Sequence, residues 1–115
     1  MRDPGERLLD MLEAIERIDR YAEKGREAFE KDELIQNWFV HHLQIVGEAA
    51  AKLGRRFHED HPELPWAQIV GMRNVLVHDY FGVDLEEVWS AVERDLPSIK
   101  QSLLTLIDEL NVNDG

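Results

Sequence analysis

The sequence predicts an all-α protein: one domain over residues 1–115, folded as an up-and-down bundle of four to five helices. Its length of 115 residues is that of a single domain and allows about two thirds of the unfolded surface to be buried. With 43% hydrophobic and 32% charged residues, the composition is typical of globular proteins. Apolar residues recur at three- and four-residue steps, the period of an amphipathic helix, and no segment alternates as a strand does.

The first predicted helix ends near Lys24-Gly25 and has one apolar face. Charged side chains occupy the opposite face, so this helix is expected to bury a single stripe against the core. The residues of that stripe are Leu8, Leu12, Ile15, Ile18 and Ala22.

The second predicted helix begins near Asp32, which serves as its N-cap, and stops at Gly54. It carries two adjacent apolar stripes. That width indicates coverage on more than one side, by the core alone or by the core and a partner subunit. Small residues also keep one stretch of the helix slim, which permits close approach of another helix; they are Gly47, Ala49, Ala50 and Ala51.

Residues 55–65 are predicted to form the main loop, because two prolines, two histidines and several charges interrupt the apolar period there. Pro65 suits the first turn of a third helix, which should end near Val77–Asp79. Asp84 opens a fourth helix in an acidic variant of the capping box. Pro97 should kink or restart that helix.

The chain contains no cysteine, which excludes disulfides and thiolate metal sites and favours a reducing compartment. Its N-terminus lacks the apolar core of a signal peptide, and no run approaches the roughly 20 apolar residues that span a bilayer. A cytoplasmic protein without a membrane partner is therefore predicted. The formal net charge of −11 argues against broad coating of nucleic acid, so any nucleic-acid site must be a small cationic cleft.

The segment from Arg73 to Tyr80 contains a permanent cation, an imidazole and a phenol. Arg73 offers bidentate donors to phosphate oxygens and neutralises charge that develops at phosphorus. His78 titrates near neutrality and can take a proton from a ribose 2′-OH or give one to a leaving 5′-oxygen. Tyr80 can hydrogen-bond, stack on a base or accept a nucleotidyl group. These groups together suit chemistry on a phosphodiester.

An ideal continuous helix would point Arg73 and His78 about 140° apart, so they could not share a site. They converge if the helix ends before His78, or if two copies of the segment face each other across a dimer axis. A dimer would supply two histidines, one as base and one as acid. From spacing alone a structural role is the more frequent one, since helix-end Arg, His and Tyr commonly serve as dipole partner, satisfied polar group and packing ring.

Several stretches resemble the HepT-like branch of the HEPN superfamily, in the expected order and over roughly Glu6 to Leu110. Arg73, His78 and Tyr80 fall on that family's Arg-x(4–6)-His-x-Tyr signature. The other matching stretches are 45–50 (IVGEAA), 61–66 (HPELPW), Gly71-Met72, Val83-Asp84, Val88-Trp89 and Asp95-Leu96-Pro97.

This resemblance implies a dimeric HEPN bundle that cleaves RNA without a metal or other cofactor. Arg73 and His78 would be catalytic in a cleft between two subunits, with Asn74 and Asp79 in supporting roles; Asn74 would orient His78 or the phosphate. Structured cellular RNA such as tRNA is the expected substrate, and no DNA partner is expected.

The resemblance also implies a toxin of a type VII HepT/MntA toxin–antitoxin system. Its antitoxin, the MntA nucleotidyltransferase, would transfer AMP from ATP to Tyr80. Each AMP would place a phosphodiester anion and a bulky adenosine beside His78 and Arg73, which would block substrate phosphate by charge and by volume.

Two rival functions remain open. The first is a non-catalytic HEPN nucleotide-binding or partner-docking module associated with a nucleotidyltransferase, which the net charge of −11 favours. The second is a metal-dependent hydrolase that uses His41, His42, His58 and His61. No metal is predicted, because adjacent histidines on a helix point about 100° apart and no acidic or cysteine set completes a site.

The sequence also predicts a role for one basic cluster and a core position for the tryptophans. Lys52, Arg55 and Arg56 form the densest basic cluster after Arg73, and are either RNA-backbone contacts or a solvated helix end. The tryptophans lie on apolar stripes and are expected in the core; they are Trp38, Trp66 and Trp89.

Overall fold

In the computed structural model, residues 3–77 and 84–114 are described, and their regular secondary structure is entirely helical. The predicted all-α class is therefore confirmed. A π-helical turn at Ala91–Asp95 joins the last two helices into one run. The helices are α1 (Pro4–Ala22), α2 (Arg26–Lys31), α3 (Glu33–Leu53), α4 (Arg55–Asp60), α5 (Trp66–Val77), α6 (Leu85–Ser90) and α7 (Leu96–Asp114).

The predicted boundaries of α3 are confirmed. The Asp32 carboxylate accepts a hydrogen bond from the Leu34 amide at 2.9 Å and so caps the first turn. Gly54 ends the helix with φ of +87°, a backbone conformation that side chains with a Cβ rarely adopt. The N-cap predicted for the fourth helix is also confirmed, since Asp84 accepts from the amides of Glu86 and Glu87.

The prediction that residues 55–65 form only a loop is wrong, because α4 occupies the first six of them. The six-residue helix α2 was not predicted either. Helices this short show too little of the apolar period to be recognised. Each is supported by an ion pair across one turn: Arg26 with Glu30 and Arg55 with Glu59, both at 2.8 Å.

Helix α3 lies at the centre of the bundle and contacts α1 and α5 as well as α2, α4 and α6. The stripe with Ile35, Phe39 and Val46 is buried in this core, whereas Leu34 of the other stripe is 78% exposed. Phe39 of α3 is fully buried and stacks on Phe29 of α2, with ring centroids 5.3 Å apart. The Phe29 ring also lies 5.5 Å from that of Trp89, so one aromatic cluster joins α2, α3 and α6.

The predicted stripe of α1 faces this core. Leu8, Ile15 and Ile18 are fully buried, and Leu12 and Ala22 pack against them at the edge. Trp66 and Trp89 are buried as predicted. Trp38 is half-buried, and its indole N–H donates to the Arg17 carbonyl at 2.8 Å. No helix in the described part of the chain is long and apolar enough to cross a membrane.

The π-helical turn precedes Pro97, where the sequence predicts a kink or restart. Its closing bond runs from the Leu96 amide to the Ala91 carbonyl, five residues back. Pro97 has no N–H to donate and its ring crowds the preceding turn, so a regular α-helical ladder is interrupted at this place. The helix restarts as α7 at Leu96, as predicted.

Candidate active site

Arg73 lies in the second half of α5, a helix that large apolar residues hold against the core. Trp66, Ile69 and Met72 of this helix are buried. The Trp66 indole N–H also donates to the His61 carbonyl at 2.7 Å, which ties the start of α5 to the preceding segment. Arg73 follows Met72, and its side chain is 32% exposed. The guanidinium is thus carried by a well-anchored helix and still meets solvent.

The backbone of α5 comes very close to α3 at Gly47. A Cβ built on Gly47 would lie 2.8 Å from the Arg73 Cβ, 3.0 Å from the Arg73 amide nitrogen and 3.1 Å from the Ile69 carbonyl oxygen. Side chains with a Cβ do not fit at such distances, so glycine is required for this approach. The predicted close approach at the slim stretch of α3 is confirmed, and the helix that approaches is the one that carries Arg73.

Glu48, the next residue of α3, forms an ion pair with Arg73. The two atoms involved are the Glu48 Oε2 and the Arg73 Nη1, which lie 3.5 Å apart. The second carboxylate oxygen of Glu48 lies 3.9 Å from the Nζ of Lys52, one helical turn further along α3. One carboxylate therefore lies between two cations. Lys52 is half exposed, as is Glu48.

Sequence reasoning selected Arg73 and Lys52 but missed Glu48. The signal that could have found it is its position, directly after the glycine of the slim stretch and four residues before Lys52. Arg55 pairs with Glu59 of its own helix, and Arg56 is exposed. Of the three predicted RNA-backbone contacts, Lys52 is the one that the structure links to Arg73.

The remaining residues of the predicted site cannot be placed in the same way. His78, Asp79 and Tyr80 lie outside the described residues. Asn74 lies in α5, and its side chain is not among those described. The predicted end of the third helix near Val77–Asp79 lies partly outside the described residues, since α5 is described as far as Val77.

A groove of about 490 Å³ opens between α1 and α3. Glu48 and Lys52 belong to its lining, so the groove is continuous with the ion-paired group at Arg73. Side chains of both charge signs line it together with apolar ones, so it is not a purely cationic surface. The other charged or imidazole groups there are Arg7, Asp10, Glu13, Arg17, His41 and His42.

The imidazoles of His42 and His58 lie within hydrogen-bond distance of backbone carbonyls of this chain. His42 is buried, and its Nδ1 lies 2.7 Å from the Trp38 carbonyl oxygen. Burial lowers the pKa of His42, and the charges of His41 and Arg17 act in the same direction, while the Trp38 carbonyl and Glu13 oppose them. His58 stacks on Trp66, with centroids 4.6 Å apart, and its Nε2 lies 2.7 Å from the Ala50 carbonyl oxygen. Among the described residues, no three His, Asp or Glu side chains are grouped to hold a metal ion.

The sequence of this chain is similar to those of known proteins. Residues 11–106 match the family described as Ribonuclease HepT-like. The chain is 40% identical over 94 residues to a probable ribonuclease HepT of Thermococcus cleftensis, which covers 81% of this chain and 86% of that protein. It is 34% identical over 92 residues to a "putative RNase" of Caldanaerobacter subterraneus, covering 80% of this chain and 82% of the relative.

A longer relative comes from Methanocaldococcus jannaschii and is named "Gamma-glutamylcyclotransferase and putative RNase". The chain is 35% identical to it over 104 residues, which is 90% of this chain but only 47% of that protein's length. No solved structure matches the chain. The family match covers most of the sequence and includes both Gly47-Glu48 and Arg73. The chain belongs to the HepT-like family of ribonucleases.

Proposed function

We propose that this protein is a metal-independent endoribonuclease toxin in which Arg73 binds the scissile phosphate. The observation that carries the proposal is the setting of Arg73: its helix packs against the core, its side chain is partly exposed, and Lys52 lies beside the same carboxylate. A guanidinium has five N–H donors, and the contact with Glu48 involves one of its terminal nitrogens. Donors remain for phosphate oxygens, where they can stabilise the charge of the transition state.

The reaction proposed is an attack of the ribose 2′-oxygen on the adjacent phosphorus. His78 acts as base and accepts the 2′-OH proton, or as acid and gives a proton to the departing 5′-oxygen. The new bond joins the 2′-oxygen to phosphorus while the bond to the 5′-oxygen breaks, which leaves a 2′,3′-cyclic phosphate and a free 5′-OH. Side chains alone supply both proton transfers and the charge stabilisation.

The site is proposed to form between two copies of the chain. The reason is the spacing of the motif, which would point Arg73 and His78 about 140° apart on a continuous helix. A two-fold axis brings a second copy of each group to the same place and provides both a base and an acid. Asn74 and Asp79 are assigned supporting roles, and tRNA is the first substrate to test.

Regulation by a nucleotidyltransferase antitoxin of the MntA type is part of the proposal. Tyr80, two residues from His78, would accept AMP from ATP with release of pyrophosphate. The added phosphodiester and adenosine would occupy the place of the substrate phosphate. Intact mass after incubation with the transferase and ATP should show added AMP on the wild type and none on Tyr80→Phe.

The experiment that tests the nuclease uses purified protein with total RNA and with tRNA, in EDTA. Wild type should cleave, whereas Arg73→Ala and His78→Ala should not, although both should fold. Arg20→Ala is a matched control, since Arg20 is an exposed arginine in the last turn of α1. Full cleavage by a folded His78→Ala variant would contradict the proposed mechanism.

A second candidate function is a non-catalytic nucleotide-binding or partner-docking module. The net charge of −11 favours it, because so acidic a body repels RNA at long range. No cleavage by a folded wild type, shown by intact mass to carry no AMP, would favour this function over the nuclease.

A further inference from the structure

We propose that Glu48 is a positioning residue for Arg73: its carboxylate fixes the orientation of the guanidinium that receives the substrate phosphate. This inference rests on the proposed function of Arg73. Its basis is geometric, since Glu48 and Arg73 stand on two different helices and their charged groups meet at 3.5 Å. No role for Glu48 follows from the Arg-His-Tyr motif itself.

Gly47 determines the distance over which Glu48 has to reach. Because the missing Cβ lets α5 approach to within van der Waals contact, the Arg73 backbone lies directly over Gly47. Successive helical residues project about 100° apart, so the next side chain leaves α3 beside Arg73 rather than beneath it. Glu48 can then contact the end of the arginine side chain while the backbones stay in contact. Gly47 and Glu48 thus act as a pair.

The charges around Glu48 support a positioning role over a purely structural one. Its two oxygens face two cations, Arg73 at 3.5 Å and Lys52 at 3.9 Å. The carboxylate offsets the repulsion between these cations and keeps both near one place. Arg73, Lys52 and Glu48 carry formal charges of +1, +1 and −1, so the group retains a net charge of +1 for a phosphate.

This arrangement gives a kinetic signature. Glu48→Gln removes the negative charge but no cation, so the attraction for RNA should persist or increase. The guanidinium would lose its fixed orientation, and small misplacements of a catalytic group reduce the rate steeply. We expect kcat to fall about tenfold while KM stays the same or decreases. Replacing a residue that merely binds RNA would instead raise KM and leave kcat unchanged.

The first measurement does not depend on activity. Arginine Nε–Hε signals of ¹⁵N-labelled protein are recorded by NMR, and the Arg73 signal is assigned by its loss in Arg73→Lys. In Glu48→Gln this signal should shift and move towards the position of freely rotating arginines. Glu27→Gln is the matched control, because Glu27 forms an exposed ion pair with Lys31 on α2. It should leave the Arg73 signal unchanged.

The second measurement compares cleavage kinetics of the same variants on an RNA that the wild type cuts. A changed Arg73 signal together with a lower kcat, at an unchanged melting temperature, supports the inference. An unchanged Arg73 signal in Glu48→Gln overturns it, and so does a changed signal with wild-type kcat. If the wild type cleaves no RNA, the proposed function fails, and the NMR result still decides whether Glu48 holds Arg73.

Discussion

At the scale of single residues, the contact between α3 and α5 depends on Gly47. A methyl group there would meet backbone atoms of Arg73 and Ile69, which cannot move aside as the end of a flexible side chain can. We expect Gly47→Ala to destabilise the fold by about 1–3 kcal/mol, the usual cost of overpacking, and to lower cleavage by displacing Arg73. The midpoint of urea unfolding at constant m-value measures the loss.

Gly71 provides the control for that substitution because it lies in the same helix, α5. A Cβ on Gly71 would have no described atom within 4 Å. Gly71→Ala should therefore be neutral or stabilise the protein by about 0.5–1 kcal/mol through helix propensity. If Gly47→Ala and Gly71→Ala changed the free energy of unfolding equally, the close packing at Gly47 would not be the reason for the glycine.

His42 gives the fold a pH dependence of defined sign. Burial lowers its pKa below the ordinary value of 6.5, so the unfolded chain binds a proton more readily than the folded one. The stability that neutral His42 contributes is complete above pH 6.5 and is lost as the pH falls from there towards the folded-state pKa. The loss of stability on acidification should be smaller in His42→Gln than in the wild type.

The check is urea unfolding of both proteins at pH 7.5 and pH 5.5, with His41→Gln as control. His41 is exposed and adjacent in sequence. Its replacement should largely preserve the wild-type pH dependence, since burial is the largest cause of the His42 shift. If His42→Gln loses as much unfolding free energy between pH 7.5 and pH 5.5 as the wild type does, His42 is not the source of the pH dependence.

At the scale of elements, the start of α6 depends on its N-cap. The Asp84 carboxylate accepts from the amides of Glu86 at 3.0 Å and Glu87 at 3.2 Å. Removing such a cap typically costs about 1 kcal/mol, so Asp84→Ala should lower the melting temperature by several degrees. Asp108→Ala, at an exposed position inside α7, should change stability by less than about 0.5 kcal/mol. Melting temperatures are measured by calorimetry. Equal decreases for Asp84→Ala and Asp108→Ala would contradict a capping role of Asp84.

The elements also show which features a sequence can predict. The limits of α3 were predictable because Asp32 and Gly54 act through local backbone chemistry. Helices α2 and α4 were not, since six residues are too few to show a period; α2 has one buried residue, Phe29, and α4 has none. Arg73 followed from a motif within one segment. Glu48 was missed because its partner is on another helix, and a contact between helices is set by packing.

At the scale of the whole molecule, the proposed shared site predicts a dominant effect of an inactive copy. The protein should sediment at twice its chain mass of 13.4 kDa. Wild type unfolded and refolded with about a ninefold excess of His78→Ala would be found mostly in mixed dimers, which lack one histidine. Its cleavage rate should then fall to about a tenth. Mixing without refolding should leave the rate unchanged, and a full rate after refolding would contradict a shared site.

The π-helical turn at Ala91–Asp95 sets the rotational phase between α6 and α7. It holds one residue more per hydrogen-bonded turn than an α-helix, so it offsets the helices that flank it. If the same residues were wound as a regular α-helix, α6 would be rotated by about 100° and Trp89 carried away from Phe29. The exposed side chains Glu93 and Arg94 are thus free to vary in kind, whereas the π-helical hydrogen bonding of this turn is needed to keep the two helices in phase.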